Sequence, residues 1–303
     1  MKINIQYGSF FKYPRKAFKH FLSAIYPIVI KILPLPKIAS IEETIDKIIN
    51  EKKSICRFGD GELLYLTEKR NLPFQIQDSK LRERFIEILK SNHPSILVGL
   101  PIGFQTLENL KDDVRTSWRA IVVWTYPFLR KYLDLDKIYY NSSITRLYIG
   151  FKNNDDSGRL FEKFRSIWND KNIVLIEGEK SRLGTTNNLF ENSKSVVRIL
   201  APAHHAFNQY DNLFKEAQKF PKTSLILVSL GPAAKPLVYD LALLGYQVID
   251  VGNLDLEYIW YLMGAKSIVK IEGKYTSEAK GGRDVKEIYD EKYNSQIIAR
   301  FTN

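Results

Sequence analysis

Leu225-Ile226-Leu227-Val228-Ser229-Leu230-Gly231-Pro232-Ala233-Ala234-Lys235-Pro236-Leu237-Val238-Tyr239-Asp240-Leu241-Ala242-Leu243-Leu244-Gly245-Tyr246-Gln247-Val248-Ile249-Asp250-Val251 is the stretch that decides the fold. It begins as a short apolar run at 225–230. A helical pattern follows at 232–244, with Pro232 suited to its first turn and Gly245 just past its end. A second apolar run follows at 247–251. Apolar strands separated by a helix argue a parallel sheet covered on both faces.

The same alternation recurs outward from this unit. Apolar runs at 54–58, 96–99, 120–124, 173–176, 196–200 and 267–271 read as further strands. Helical patterns lie between several of them, as at 159–168 and 205–220. Residues 40–53 read as a helix with Ser40 as N-cap and Glu43 three residues on, a capping box. Its Ile41, Ile45, Ile48 and Ile49 fall on one face. The expected class is therefore α/β, a mostly parallel sheet with helices on both faces.

Pro34-Leu35-Pro36 marks the clearest boundary, so 1–37 is expected to be a segment apart from a body at 38–303. The segment is basic, apolar and aromatic. It carries seven basic residues (Lys2, Lys12, Arg15, Lys16, Lys19, Lys31, Lys37) and no acid, since the first is Glu42. The net charge is +11, so the rest of the chain carries only +4. A nucleic-acid binder more often spreads its charge over the folded body, so no nucleic acid is expected. Bulky side chains such as Phe10, Phe11, Phe18, Phe21 and Ile28 interleave with the lysines. The apolar run near 21–35 is interrupted by Pro27 and Lys31, and a bilayer span needs roughly 20 residues. The segment therefore reads as interfacial, on an anionic membrane face, or as an arm packed on the body. The single cysteine, Cys56, excludes an internal disulfide, and no secretory signal is visible. A cytoplasmic protein, peripheral at the inner face of the membrane, is the expectation.

Parallel sheets bind ligands at the carboxyl ends of their strands. Here those ends carry Arg57 to Glu62, Glu177 to Arg182, Pro202 with His204 and His205, Gly231-Pro232, and Asp255 to Glu257. Asp60 and Glu62 flank a glycine. On an extended backbone they point the same way and offer hard oxygens to Mg²⁺ or Mn²⁺. Alone, such a triplet is more often a solvated turn or a helix cap. Gly231-Pro232 puts a helix N-terminus after a strand, suited to a phosphate. Lys180 and Arg182 suit a diphosphate clamp. Glu177 either pairs with them or holds a sugar hydroxyl. One of His204 and His205 reads as a phosphate or sugar contact, the other as structural. Asp255, Glu257 and Glu278 are alternative proton acceptors, and the sequence does not choose among them. Cys56 reads as a buried small hydrophobe. No dinucleotide fingerprint, Walker loop or serine elbow occurs.

Taken together, four blocks resemble the GT-D fold glycosyltransferases, a family once known only as a domain of unknown function. They are Arg57-Phe58-Gly59-Asp60-Gly61-Glu62, Ile176 to Gly184 with Lys180, Ser181 and Arg182, Leu230-Gly231-Pro232, and Ile249 to Tyr258. The resemblance covers 40–278. It implies a Rossmann-like, GT-D type sheet, a UDP-sugar donor, a divalent metal at Asp60 and Glu62, and a glycan or glycoprotein acceptor in bacterial surface assembly. It places blocks two to four around the nucleotide and acceptor, and with the strand-end reading the residues expected to bind the donor are Arg57, Gly59, Glu177, Lys180, Ser181, Arg182, Pro202, His204, Gly231 and Pro232. Two other readings stand beside it. One is a metal-dependent nucleotide-sugar phosphatase or pyrophosphatase using the same groups. The other is a non-catalytic membrane or nucleic-acid binding module.

Overall fold

The computed structural model describes residues 12–302 apart from 69, 70, 73 and 106. Lys2, Phe10 and Phe11 of the basic segment lie outside the described residues. Among the described residues, nine strands form one sheet: β1 (Lys37–Ile38), β2 (Ser54–Arg57), β3 (Ile96–Leu100), β4 (Ile138–Asn141), β5 (Asn172–Gly178), β6 (Ser195–Ala201), β7 (Leu225–Ser229), β8 (Gln247–Asp250) and β9 (Ile297–Arg300). Their order is β1-β4-β3-β2-β8-β7-β5-β6-β9, and every pairing is parallel. All strand carboxyl ends therefore lie on one edge.

The helices are α1 (Lys12–Ile32), α2 (Ile41–Asn50), α3 (Asp60–Glu68), α4 (Ser79–Lys90), α5 (Asp112–Leu129), α6 (Ser157–Arg165), α7 (Tyr210–Ala217), α8 (Ala234–Leu243), α9 (Leu254–Leu262) and α10 (Glu291–Ser295). Side chains alternate across each strand, so each feeds two cores. Cys56, Val98, Ile226 and Val248 pack with α3, α4, α5, α7 and α8 on one face. Ile55, Leu97, Leu225 and Ile249 pack with α2, α6 and α9 on the other. The expected α/β class holds, and the 225–251 unit is β7-α8-β8.

The capping box forms: Ser40 Oγ accepts from Glu43 N at 3.1 Å, and Glu43 Oε2 accepts from Ser40 N at 2.7 Å. Two expected strands are absent. Residues 120–124 lie inside α5, where Ala120, Ile121, Val122 and Val123 are buried. A short apolar run reads alike as a strand or as a helix buried all round, and α1 packed on α5 makes it the latter. Residues 267–271 form no strand; they follow α9 as an irregular segment in which Ser267 and Lys270 are exposed and only Ile271 is buried. The expected helix at 205–220 is divided. His205 sits at φ +55°, a 3₁₀ turn Ala206–Gln209 follows, and only then α7 begins.

Sequence reading missed β1, β4 and β9. β1 and β4 are short, and β9 alternates half-buried and exposed residues at the sheet edge. α1 joins the body by burying Tyr26, with Leu22, Ile25, Val29 and Ile30 packed around the same core.

Candidate active site

The site forms where β2 and β8 lie side by side, with Ile55 opposite Ile249. Chain direction across the sheet diverges here, since β3 and β4 continue to one side and β7 and β5 to the other. That is where an open parallel sheet leaves a crevice.

Arg57 ends β2 and spans the crevice as a strut. Its Nε donates to Asp250 O at 2.6 Å and its Nη2 to Asp250 Oδ1 at 3.0 Å. Its Nη1 donates to Ser142 O at 2.8 Å and to Thr145 Oγ1 at 2.5 Å. The guanidinium therefore ties β2, β8 and the turn after β4 together. Gly252, at φ +45°, makes room for it, because a Cβ there would lie 1.9 Å from Nη2.

The segment after Arg57 is helical, which changes the relation between the two acids. Gly59 precedes α3, and Asp60 and Glu62 both stand in its first turn. The extended geometry expected for them does not occur. Residues two apart on a helix diverge by about 200°. Glu62 folds back on Gly59, accepting its N–H at 2.9 Å through Oε2. Its Oε1 accepts from Lys235 Nζ at 2.6 Å. Lys235 also donates to Gly231 O at 2.9 Å and lies 3.4 Å from Asp250 Oδ2. Arg57, Lys235, Glu62 and Asp250 thus form a compact, charge-balanced cluster. Burial opposes the charge on Lys235, but the facing Asp250 and Glu62 outweigh it and raise its pKa.

Among the described residues Asp60 has no such ion-pair partner. Burial, then the negative charges of Glu278 and Glu62, push its carboxyl up to about 6. Arg146 acts the other way. Arg146 follows the turn after β4 and grips Glu278 with both terminal nitrogens, Nη1 to Oε2 at 3.0 Å and Nη2 to Oε1. Glu278 is held below the usual carboxylate range: burial raises it, and Arg146 more than offsets that. Arg146 also lies 3.5 Å from Glu257 Oε1.

The other sequence candidates for a base are committed elsewhere. Glu257 is fully buried, and its Oε2 accepts from Tyr148 N and Ile149 N, each at 3.1 Å. Asp255 Oδ1 accepts from Gly184 N at 2.8 Å and Asn187 Nδ2 at 2.7 Å, and its Oδ2 accepts from Lys274 Nζ at 2.6 Å. Glu177 receives Arg198 Nη1 at 2.5 Å and Leu183 N at 2.7 Å. Arg182 points to the C-terminal segment, bonding Gly273 O at 2.8 Å and Glu287 Oε2 at 2.8 Å. Glu177, Asp255 and Arg182 tie down the 179–187 loop, whereas Glu257 holds the turn at Tyr148 and Ile149.

Lys180, Ser181, Pro202 and His204 stand at the ends of β5 and β6. Among the described residues the Lys180 ammonium makes no side-chain hydrogen bond or ion pair. The exposed His204 ring meets the edge of Tyr275. Gly231, at φ +55°, packs under Phe74, and a Cβ there would lie 2.7 Å from that ring. Gly231 and Pro232 lead through a 3₁₀ turn into α8 without a side-chain cap, which leaves backbone N–H groups facing the edge.

A divalent cation fits Asp60 better than the Asp60 and Glu62 pair. Among the described residues Asp60 has no ion-pair partner and only the more distant charge of Arg146 acts on it, whereas Lys235 already neutralises Glu62. No group of three metal-ligating side chains occurs among the described residues. Mg²⁺ is commonly held by one or two carboxylates, with substrate phosphates and water supplying the rest.

Arg146, Lys235, Asp250 and Thr145 were absent from the sequence candidates. Two signals existed for them. Lys235 is a lone charge in an apolar helix start, and Arg146 follows a short Ile138-Tyr139-Tyr140 run with strand composition.

The family model described as Glycosyltransferase GT-D fold matches residues 55–279. Glycosyltransferase GlyD of Streptococcus pneumoniae is 38% identical over 281 residues, 90% of this chain and 33% of that protein. Probable glycosyl transferase Gly of Streptococcus gordonii is 33% identical over 86% of this chain and 38% of that protein. The chain thus spans about a third of the length of these curated relatives. A solved structure of domain of unknown function 1792, described as a distinct glycosyltransferase fold, superposes with a TM-score of 0.82 at 33% identity, covering 95% of this chain and 99% of that one. Another, described as a new glycosyltransferase from Streptococcus sanguinis, gives 0.83 at 32% identity over 88% and 99%. With a family-model match over residues 55–279, relatives 33–38% identical over most of the chain and a matching fold, the chain belongs to the GT-D glycosyltransferase fold family.

Proposed function

We propose that this chain transfers a sugar from a UDP-sugar to a carbohydrate acceptor, with Mn²⁺ or Mg²⁺ held at Asp60. The observation that carries this reading is Asp60 itself, a carboxyl at the crevice with its pKa raised to about 6 and no ion-pair partner among the described residues. A divalent ion there relieves that charge and, when bound, stabilises the negative charge that develops on the leaving diphosphate. Glu62, through Gly59 and Lys235, fixes the turn that aims Asp60. Lys180, Ser181, His204 and the start of α8 at Gly231 and Pro232 supply phosphate contacts from the neighbouring strand ends.

Glu278 takes the acceptor proton in this scheme. It is the one of the three candidate bases whose side chain is partly open, 18% exposed against 1% for Glu257 and 2% for Asp255. Arg146 keeps it ionised and oriented. The acceptor is a bacterial surface glycan or a glycoprotein, as the family resemblance implies.

Calorimetric titration of UDP with and without Mn²⁺ tests the donor site. The expected result is metal-dependent binding that Asp60→Ala abolishes. Failure of UDP to bind under any metal condition overturns the UDP reading. Turnover that proceeds equally without an acceptor sugar points instead to a nucleotide-sugar hydrolase.

A further inference from the structure

We propose that the outer face shared by α1 and α5 docks flat on an anionic lipid surface. Six large apolar side chains are exposed on these two helices: Phe18 47%, Phe21 58%, Ile28 61%, Ile32 71%, Trp124 40% and Phe128 59%. Phe21, Ile28 and Ile32 recur at spacings of seven and four, which puts them in one stripe of α1. Phe18 and Trp124 meet edge to face at 5.6 Å and join that stripe to α5. Isolated exposed apolar residues need no explanation, but a contiguous group on a well-packed helix pair marks an interaction surface.

Charge selects the occupant. Lys16, His20 and Lys31 are exposed along the flank of the stripe, and Arg130 and Lys131 are exposed just past the end of α5. No acid occurs in α1. The two acids that open α5 are already engaged. Asp112 pairs with Arg115 at 2.8 Å and Lys152 at 2.9 Å, and Asp113 faces Lys19. A second copy docked on this face would bring lysine against lysine. A bilayer with anionic headgroups meets both the apolar stripe and its basic rim. Among the described residues no helix is long and apolar enough to cross a membrane, so α1 lies in the interface plane.

The test is flotation of the full chain with phosphatidylcholine vesicles, with and without phosphatidylglycerol. We expect binding that needs phosphatidylglycerol and weakens with added salt. Lys16→Gln with Lys31→Gln weakens it by roughly fivefold for each charge removed. The combined Phe21→Ser, Ile28→Ser and Phe128→Ser variant loses it, while its Tm and UDP binding stay at wild-type values because the three side chains are exposed. Equal binding to neutral vesicles overturns the proposal, as does no effect of the triple substitution. A dimer in solution that the triple variant dissolves overturns it in favour of a second copy. Lack of binding by the full chain, with binding gained on deletion of residues 1–11, overturns it in favour of the chain's own N-terminus.

Discussion

Replacing Lys235 by methionine keeps most of the side-chain volume and removes one charge from a buried cluster. Lys235 is 4% exposed. Its ammonium lies 2.6 Å from Glu62 Oε1, 2.9 Å from Gly231 O and 3.4 Å from Asp250 Oδ2. In the wild type, two cations face two carboxylates. In the variant, Asp250 keeps Arg57, and Glu62 retains only the Gly59 N–H. Breaking a buried pair by removing one partner costs about 3–5 kcal/mol, so urea unfolding near neutral pH should show a loss in that range. Adding Glu62→Gln to Lys235→Met removes the stranded charge and should recover most of the loss. A deficit under about 1 kcal/mol near neutral pH would mean that water already solvates the cluster, and the argument from burial fails.

Asp60 has a folded pKa of about 6 against an ordinary 3.8, so its stabilising contribution is full below the lower value and lost as pH rises through the higher. Asp60→Asn should therefore stabilise the metal-free protein at alkaline pH by up to about 3 kcal/mol, with the gain vanishing in acid, as read by calorimetry at several pH values. Divalent-cation affinity should fall by about tenfold per pH unit as Asp60 protonates in the acid limb, and titration of Mn²⁺ at a series of pH values checks this. Arg146→Lys should not restore what Arg146→Ala loses in kcat, because an ammonium cannot hold both Glu278 oxygens in one plane; steady-state kinetics on both variants decides it. Gly252→Ala combines φ +45° with a Cβ 1.9 Å from Arg57 Nη2, and thermal unfolding should register a loss of about 2–4 kcal/mol as Arg57 is displaced.

Local sequence was enough for whatever depends on near neighbours. The β7-α8-β8 unit was legible because two buried strands and their crossover lie within a single stretch of sequence. The Ser40 capping box was legible because both of its bonds join residues three apart. The four blocks at the strand ends announced the family because close backbone turns at an active edge restrict residue choice locally. Segment 120–124 misled because a run buried on two sides looks alike in a strand and in a helix. Its second side is covered by α1, about a hundred residues earlier in the chain.

Roles at the site required the tertiary structure, because each rests on a partner distant in sequence. Arg57 is a strut only because Asp250 and Ser142 converge on it. Glu62 is neutralised by Lys235, 173 positions away. Asp255 and Glu257 are closed off by Lys274 and by the Tyr148 and Ile149 amides, whereas Asp60 is left with Glu278 as a near charge. The sequence names the carboxylates that reach the crevice. Which of them keeps a free charge depends on where the cations fall when the strands align, and that is a property of the packed sheet.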